Sequence, residues 1–276
     1  MKKNRITLKI LIGVVTLAVA VTTLFPLFWM FISSFKKNAD IIALPLRFWP
    51  TVWTTESYEL ILFSKNFDIG SSLLYTLALT VLFTVLTLTI NSIAAYGFAR
   101  LEFPGKNVLW ALVMVTMFIP GISTLVTSYT IVAKMGMVNT IWVLIIPGLA
   151  GSGMIFFIRQ FYLNFPLSLE EAALVDGSTP MKNFIYIFLP ASGPVFVIQG
   201  VGAFLGFWNN YLWPAITISD EQLYPIMLTL QFFKAQRAMK DGAVLAGSVI
   251  TSLPPIILFL IFQRHIIEGI KMSGLK

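Results

Sequence analysis

The sequence predicts an all-α integral membrane protein with six transmembrane helices. Three observations carry that prediction. The first is a shortage of charge: 11% of the 276 residues are charged and 57% are hydrophobic, where a soluble domain carries roughly 25% charged residues. So little charge cannot cover a globular surface, and the chain needs apolar solvent. The second is a succession of apolar runs, each near the roughly 20 residues that cross hydrocarbon. The third is chemical. With no cysteine, disulfides and thiolate-bound metals are excluded. A lone histidine, His265, argues against histidine-based metal or triad catalysis, so the chain reads as non-enzymatic. A net charge of +7 raises nucleic acid as a partner. The charges are scattered over short loops, however, so membrane orientation explains them better and no nucleic acid is expected.

Residues 1–9, with Lys2, Lys3, Arg5 and Lys9, form a basic N-terminal segment. The first span covers 10–32. Ala18-Val19-Ala20 resembles a signal-peptide cleavage site, but the apolar run continues unbroken to Ile32, which favours a retained helix. In the connection 33–70, Pro45 and Pro50 stop helix propagation, while Trp49 and Trp53 suit a membrane–water interface. The second span covers 71–99 and contains Asn91, an amide that needs a partner in the bilayer. Arg100 to Lys106 turns at Pro104-Gly105. The third span covers 107–126, with Pro120-Gly121 near its far end, and 127–140 is a short connection. The fourth span, 141–163, should be broken or loosened by Pro147-Gly148 and Gly151/Gly153. The fifth, 185–213, enters through Pro190 and Pro194 and leaves through Trp208-Asn209-Asn210-Tyr211-Leu212-Trp213-Pro214. After a polar connection to Gly242, the sixth span covers 243–262 and includes Pro254-Pro255. The membrane domain is thus 10–263, and 264–276 is a basic tail. Lys and Arg are in modest excess on the side holding both termini, which places that side in the cytoplasm.

The segment 165–184, between the fourth and fifth spans, is the most heavily punctuated. Ser168 with Glu171 three residues on reads as a capping box that starts a helix. Leu169, Ala172, Ala173 and Asp176 share one face, and the alanines keep it low enough for another backbone to approach. Gly177 supplies a left-handed stop. Thr179-Pro180 reads as a new N-cap and first helical residue. The product is helix, sharp turn, helix. An ordinary amphipathic connector at the interface is the competing reading. Against it, the apolar face is small, and Glu170, Glu171 and Asp176 would be repelled by an anionic leaflet. A protein cleft suits the segment better than lipid.

Glu171-Ala172-Ala173, three residues, Gly177, nine residues, Ile187, one residue, Leu189-Pro190 resembles the "EAA" loop of ATP-binding-cassette (ABC) importer permeases. Supporting similarity runs through most of the chain. It includes Pro26-Leu27-Phe28-Trp29 before Ser33-Ser34-Phe35-Lys36, and Asn91-Ser92 leading to Ala95-Tyr96-Gly97-Phe98-Ala99-Arg100. Ser178 departs from the family's more frequent Ala. The chain resembles the carbohydrate-uptake branch, the smaller of two permeases of maltose and glycerol-phosphate type. The resemblance implies the type I importer fold, with 165–184 as a cytoplasmic coupling loop. It also implies the partners: a second permease forming a heterodimer, two ATPase subunits, an extracytoplasmic sugar-binding protein and membrane lipid. The location implied is a bacterial or archaeal plasma membrane. The cargo implied is a di- or oligosaccharide. No cofactor is implied for this chain, since ATP and Mg are bound by the ATPase subunits, and it has no Gly-x-x-x-x-Gly-Lys-Ser/Thr loop.

Asn91, Asn209, Asn210 and Tyr211 are candidates for the solute path, because hydroxyl-rich ligands need amide partners and stacking rings. Interhelical hydrogen bonding and interface anchoring are the competing roles. Lys234, Arg237 and Lys240 recur at roughly helical spacing in an outer connection and could meet an acidic partner surface. The alternative function is a six-span channel or secondary transporter without an ATPase. Such proteins usually carry midplane charges, which these spans lack.

Overall fold

The computed structural model describes residues 2–63, 69–235 and 241–274, and those residues are helix and connecting turns. The long helices are α1 (Lys2–Ser34), α2 (Ile69–Arg100), α3 (Lys106–Thr116), α4 (Leu125–Lys134), α5 (Ser152–Leu163), α6 (Leu167–Val175), α7 (Gly193–Trp208) and α8 (Asp241–Gly274). Three stretches are single helices long and apolar enough to cross a membrane: Leu8–Ser34, Ile69–Arg100 and Asp241–Ile266. Three further crossings are available only as bent pairs.

The bent pairs revise the expected boundaries. The helix expected over 107–126 is instead α3, a break, and a second arm from Gly121 to Lys134, turned through 100°. Pro120 is extended (φ −61°, ψ 128°), and the residue before a proline is pushed out of the α region, so the ladder cannot continue. The connection expected at 127–140 is therefore helical as far as Lys134. The fourth segment bends by 46° between Gly148 and Ser152, at the glycines and proline read as breakers. The fifth bends by 75° at Ser192, and α7 ends at Trp208 rather than running on to 213.

Two compact units divide the chain. One comprises 1–71 and 229–253. Its polar centre lies just beyond α1. Lys36 is buried, donates from Nζ to the Arg47 carbonyl at 2.7 Å and sits 3.9 Å from the Trp29 ring centroid. Burial pulls its pKa down, and the nearby Asp40 partly opposes that. Asp40 accepts hydrogen bonds from the Thr51 hydroxyl and amide and pairs with Arg47 at 3.0 Å, which holds its carboxyl below the usual range. In α8, a Cβ at Gly247 would lie 2.6 Å from Ile61, so glycine permits the close approach there. Lys234 is exposed in a helix spanning Ile226–Ala235, while Arg237 and Lys240 lie outside the described residues.

The other unit comprises 72–228 and 254–276. It has one hydrophobic cluster around Leu79, Val143, Ile145 and Tyr224, and a second around Ala95, Tyr96, Ile158, Tyr162 and Phe188. Leu79 and Ala95 are about 24 Å apart along α2 at 1.5 Å per residue. α2 thus serves both clusters, and the features described next all belong to this unit.

Candidate functional site: the elbow and the cleft

The elbow starts at Pro166 (φ −58°, ψ 124°), whose fixed φ and missing N–H define the first turn of α6. This corrects the capping box. Helix begins at Leu167, no side chain caps it, and Ser168 sits inside the first turn. The exit follows the local signals. Gly177 has φ +77°, a left-handed conformation that favours glycine. The Ser178 amide donates to the Ala173 carbonyl at 2.9 Å and the Gly177 amide to Leu174 at 3.0 Å, the paired bonds of a Schellman stop. Thr179 Oγ1 then accepts from the Lys182 amide at 3.4 Å, and Pro180 opens the next short helix. Five residues of π-helix, Phe184–Phe188, precede Pro190. The Pro190 ring would press on the Tyr186 carbonyl in a regular α turn, and the wider turn relieves it.

The glutamates of α6 face differently. Glu171 is exposed, as are Ala172 and Asp176, with Ala173 half-buried. Glu170 turns inward, 3.6 Å from Arg100 Nη1. Arg100, with only 7% of its side chain exposed, is the clamp of the elbow. Its Nη2 donates to the carbonyls of Tyr162 at 2.6 Å and Phe165 at 2.7 Å, at the end of α5. A cation suits the negative end of a helix dipole. Tyr96 donates to the Pro180 carbonyl at 3.0 Å, which ties the second arm of the elbow to α2 as well. Ile187 and Leu189 pack against the Tyr96–Tyr162 cluster, and Pro190 is exposed. The outward tip is more apolar than the alanine face suggested, with Val175 87% and Met181 63% exposed.

The second feature is a cleft of about 410 Å³. Its walls include Phe83, Pro147, Gly148 and Phe207, and its polar side chains include Ser128 and Asn210. Asn210 Oδ1 accepts from the Trp213 amide at 3.3 Å, and Trp213 is held by its ring N–H on the Val143 carbonyl at 2.8 Å. Asn209 and Tyr211 are exposed but do not line the cleft. Asn91 is fully buried and has the hydrogen-bonding role. Its Nδ2 donates to the carbonyls of Thr87 (2.6 Å) and Leu149 (2.7 Å), and its Oδ1 accepts from the Gly151 amide at 2.8 Å. It therefore closes the break in the fourth segment.

Residues 91–272 match the family profile described as binding-protein-dependent transport system inner membrane component. The chain belongs to that family. Similar permeases include the probable ABC transporter permease protein YurM of Bacillus subtilis, 35% identical over 256 residues, with 91% of this chain and 83% of the relative covered. The arabinooligosaccharides transport system permease protein AraQ of Halalkalibacterium halodurans is 28% identical over 260 residues, with 94% and 93% covered. A solved bacterial ABC transporter involved in import of the acidic polysaccharide alginate superposes with a TM-score of 0.85 at 20% identity, covering 96% of this chain and 98% of that one. This last likeness establishes the fold: an ABC importer transmembrane domain. Family membership does not favour a stand-alone channel or secondary transporter.

Within this permease, Arg100, Glu170 and Tyr162 escaped the sequence reading as parts of the site. Arg100 looked like a loop charge and Glu170 like one of three surface acids. The signal available was positional: an Arg at the end of an apolar run that must still find acceptors.

Proposed function

We propose that this chain is half of the pore of an ATP-driven, binding-protein-dependent importer of a di- or oligosaccharide, coupled to an ATPase subunit through the elbow. The observation that carries the coupling is the elbow itself. An exposed tip of Val175 and Met181, edged by Glu171 and Asp176, is held from behind by Arg100 and Tyr96. A tip that must transmit force to a partner needs exposed apolar anchors and a stiff mount. Glu171 pairs with a cation on the ATPase in this reading. ATP and Mg bind the two ATPase subunits, this chain holds no cofactor, and it performs no catalysis. A second permease completes the pore, and an extracytoplasmic sugar-binding protein delivers the solute. The excess of Lys and Arg on the side of the elbow supports cytoplasmic termini.

The sugar cargo rests on the relatives. One is named for arabinooligosaccharides and the solved structure belongs to a polysaccharide importer. The cleft is compatible with it: its lining is mainly apolar, with Thr87, Ser128 and Asn210 among its polar residues. Of the four path candidates, Asn210 is the one with a side chain in the cleft.

Purifying the tagged chain from its host membrane and probing for a bound ATPase tests the assembly. Glu171→Gln and Gly177→Val then test the elbow. Valine cannot hold φ +77° without strain. If both variants left solute-stimulated ATP hydrolysis intact, docking through the elbow would be wrong.

A further inference from the structure

The elbow joins α7 through the 75° bend at Ser192. Pro190 and Pro194 flank it, and neither has an N–H to give the ladder. Ser192 itself is tied by its amide on the Leu189 carbonyl at 3.2 Å and by its carbonyl, which accepts from the Phe196 amide at 2.9 Å. A joint with two missing ladder bonds bends easily unless side chains fix it.

Ser192 is fully buried, and its hydroxyl faces two acceptors, the Phe188 carbonyl at 2.6 Å and the Tyr162 hydroxyl at 3.0 Å. Tyr162, also fully buried, lies 2.6 Å from the Ser92 hydroxyl on α2. Three hydroxyls thus run from the bend to α2 through an otherwise apolar cluster. The Tyr162 ring is edge-on to Phe188 at 5.3 Å, so its position does not depend on the hydroxyl.

We propose that Tyr162 is a positioning residue for coupling. Its hydroxyl latches Ser192 to α2, and this fixes the angle between the elbow and α7. A push on the elbow then turns α7 instead of flexing the joint. This role rests on the ATPase-docking reading above, and the test separates the two.

The chain has no cysteine, so spin labels at Ser168→Cys and Gly202→Cys report the distance between the elbow and α7. A Cβ at Gly202 meets open space, and Ser168 is exposed on α6 away from the Val175–Met181 tip, so both sites accept a label without touching the docking anchors. The permease–ATPase complex is measured with and without ATP and Mg, with Tyr162 intact or as Tyr162→Phe. With Tyr162 intact, the distance distribution stays narrow in both states. In Tyr162→Phe it becomes broad or split once ATP is added, because the partner pushes on a joint that yields. A purely structural role would lower thermal stability without making the distance respond to nucleotide. A distribution in Tyr162→Phe that stays narrow with ATP overturns the latch and leaves docking standing. Failure of the chain with Tyr162 intact to retain any ATPase overturns docking, and the coupling role with it. Should Tyr162→Phe not assemble, Ser192→Ala keeps every ring of the cluster and is held to the same outcomes.

Discussion

The two bends of 46° and 75° are both closed by polar residues of α2, yet in different ways. At the first, Asn91 bonds backbone directly: the Leu149 carbonyl and the Gly151 amide, with Thr87 adding a second donor to Leu149 at 2.8 Å. At the second, Ser92 reaches only the Tyr162 side chain, which reaches Ser192. A primary amide that donates and accepts can replace a broken ladder, and the bend it closes becomes part of the scaffold. The hydroxyl relay meets the backbone at one carbonyl, that of Phe188, which accepts from Ser192, and otherwise adds stiffness. Under the proposed latch, the difference separates a bend that maintains the fold from a bend that carries motion.

The comparison breaks most readily at Asn91. Asn91→Leu leaves the half-buried Gly151 amide without its acceptor and removes a donor from the Leu149 carbonyl, and should cost about 3 kcal/mol. Denaturant unfolding in mixed micelles reads this directly, and a loss below about 1 kcal/mol would put the two bends in one class. Next is Arg100→Gln. It removes a charged clamp from two carbonyls and should cost about 2 kcal/mol, with weakened ATPase retention on a pull-down. Tyr162→Phe should cost only about 1 kcal/mol in the same unfolding measurement; a loss as large as that of Asn91→Leu would make the relay scaffold rather than latch. Smaller still, Thr179→Ala removes a working N-cap for about 0.5–1 kcal/mol, whereas Ser168→Ala, at a capping box that does not form, should be silent by thermal melt. Glu171→Gln is expected within about 0.5 kcal/mol of the parent while lowering stimulated ATP hydrolysis.

Much of the fold was legible because its causes are local. The apolar runs, the break at Pro147-Gly148, the Gly177 reversal and the Thr179-Pro180 restart each follow from one or two residues. The capping box misled because Pro166, two residues earlier, is the stronger local signal. The length of the third segment misled because an apolar run does not reveal a 100° turn within it. In the site, the exposed Glu171 was legible and the inward Glu170 was not. Adjacent helical residues differ by about 100° in direction, and only packing says which of them faces in.

The sequence by itself determined that this chain lives in apolar solvent and where the elbow turns. Composition and backbone-restricting residues act within a few positions, so no fold is needed to read them. Only the tertiary structure decided which partner each buried polar group takes. Asn91 meets Gly151, Arg100 meets Phe165 and Ser92 meets Tyr162 across separations of 60, 65 and 70 residues. A buried donor must find an acceptor, but chain connectivity does not say where.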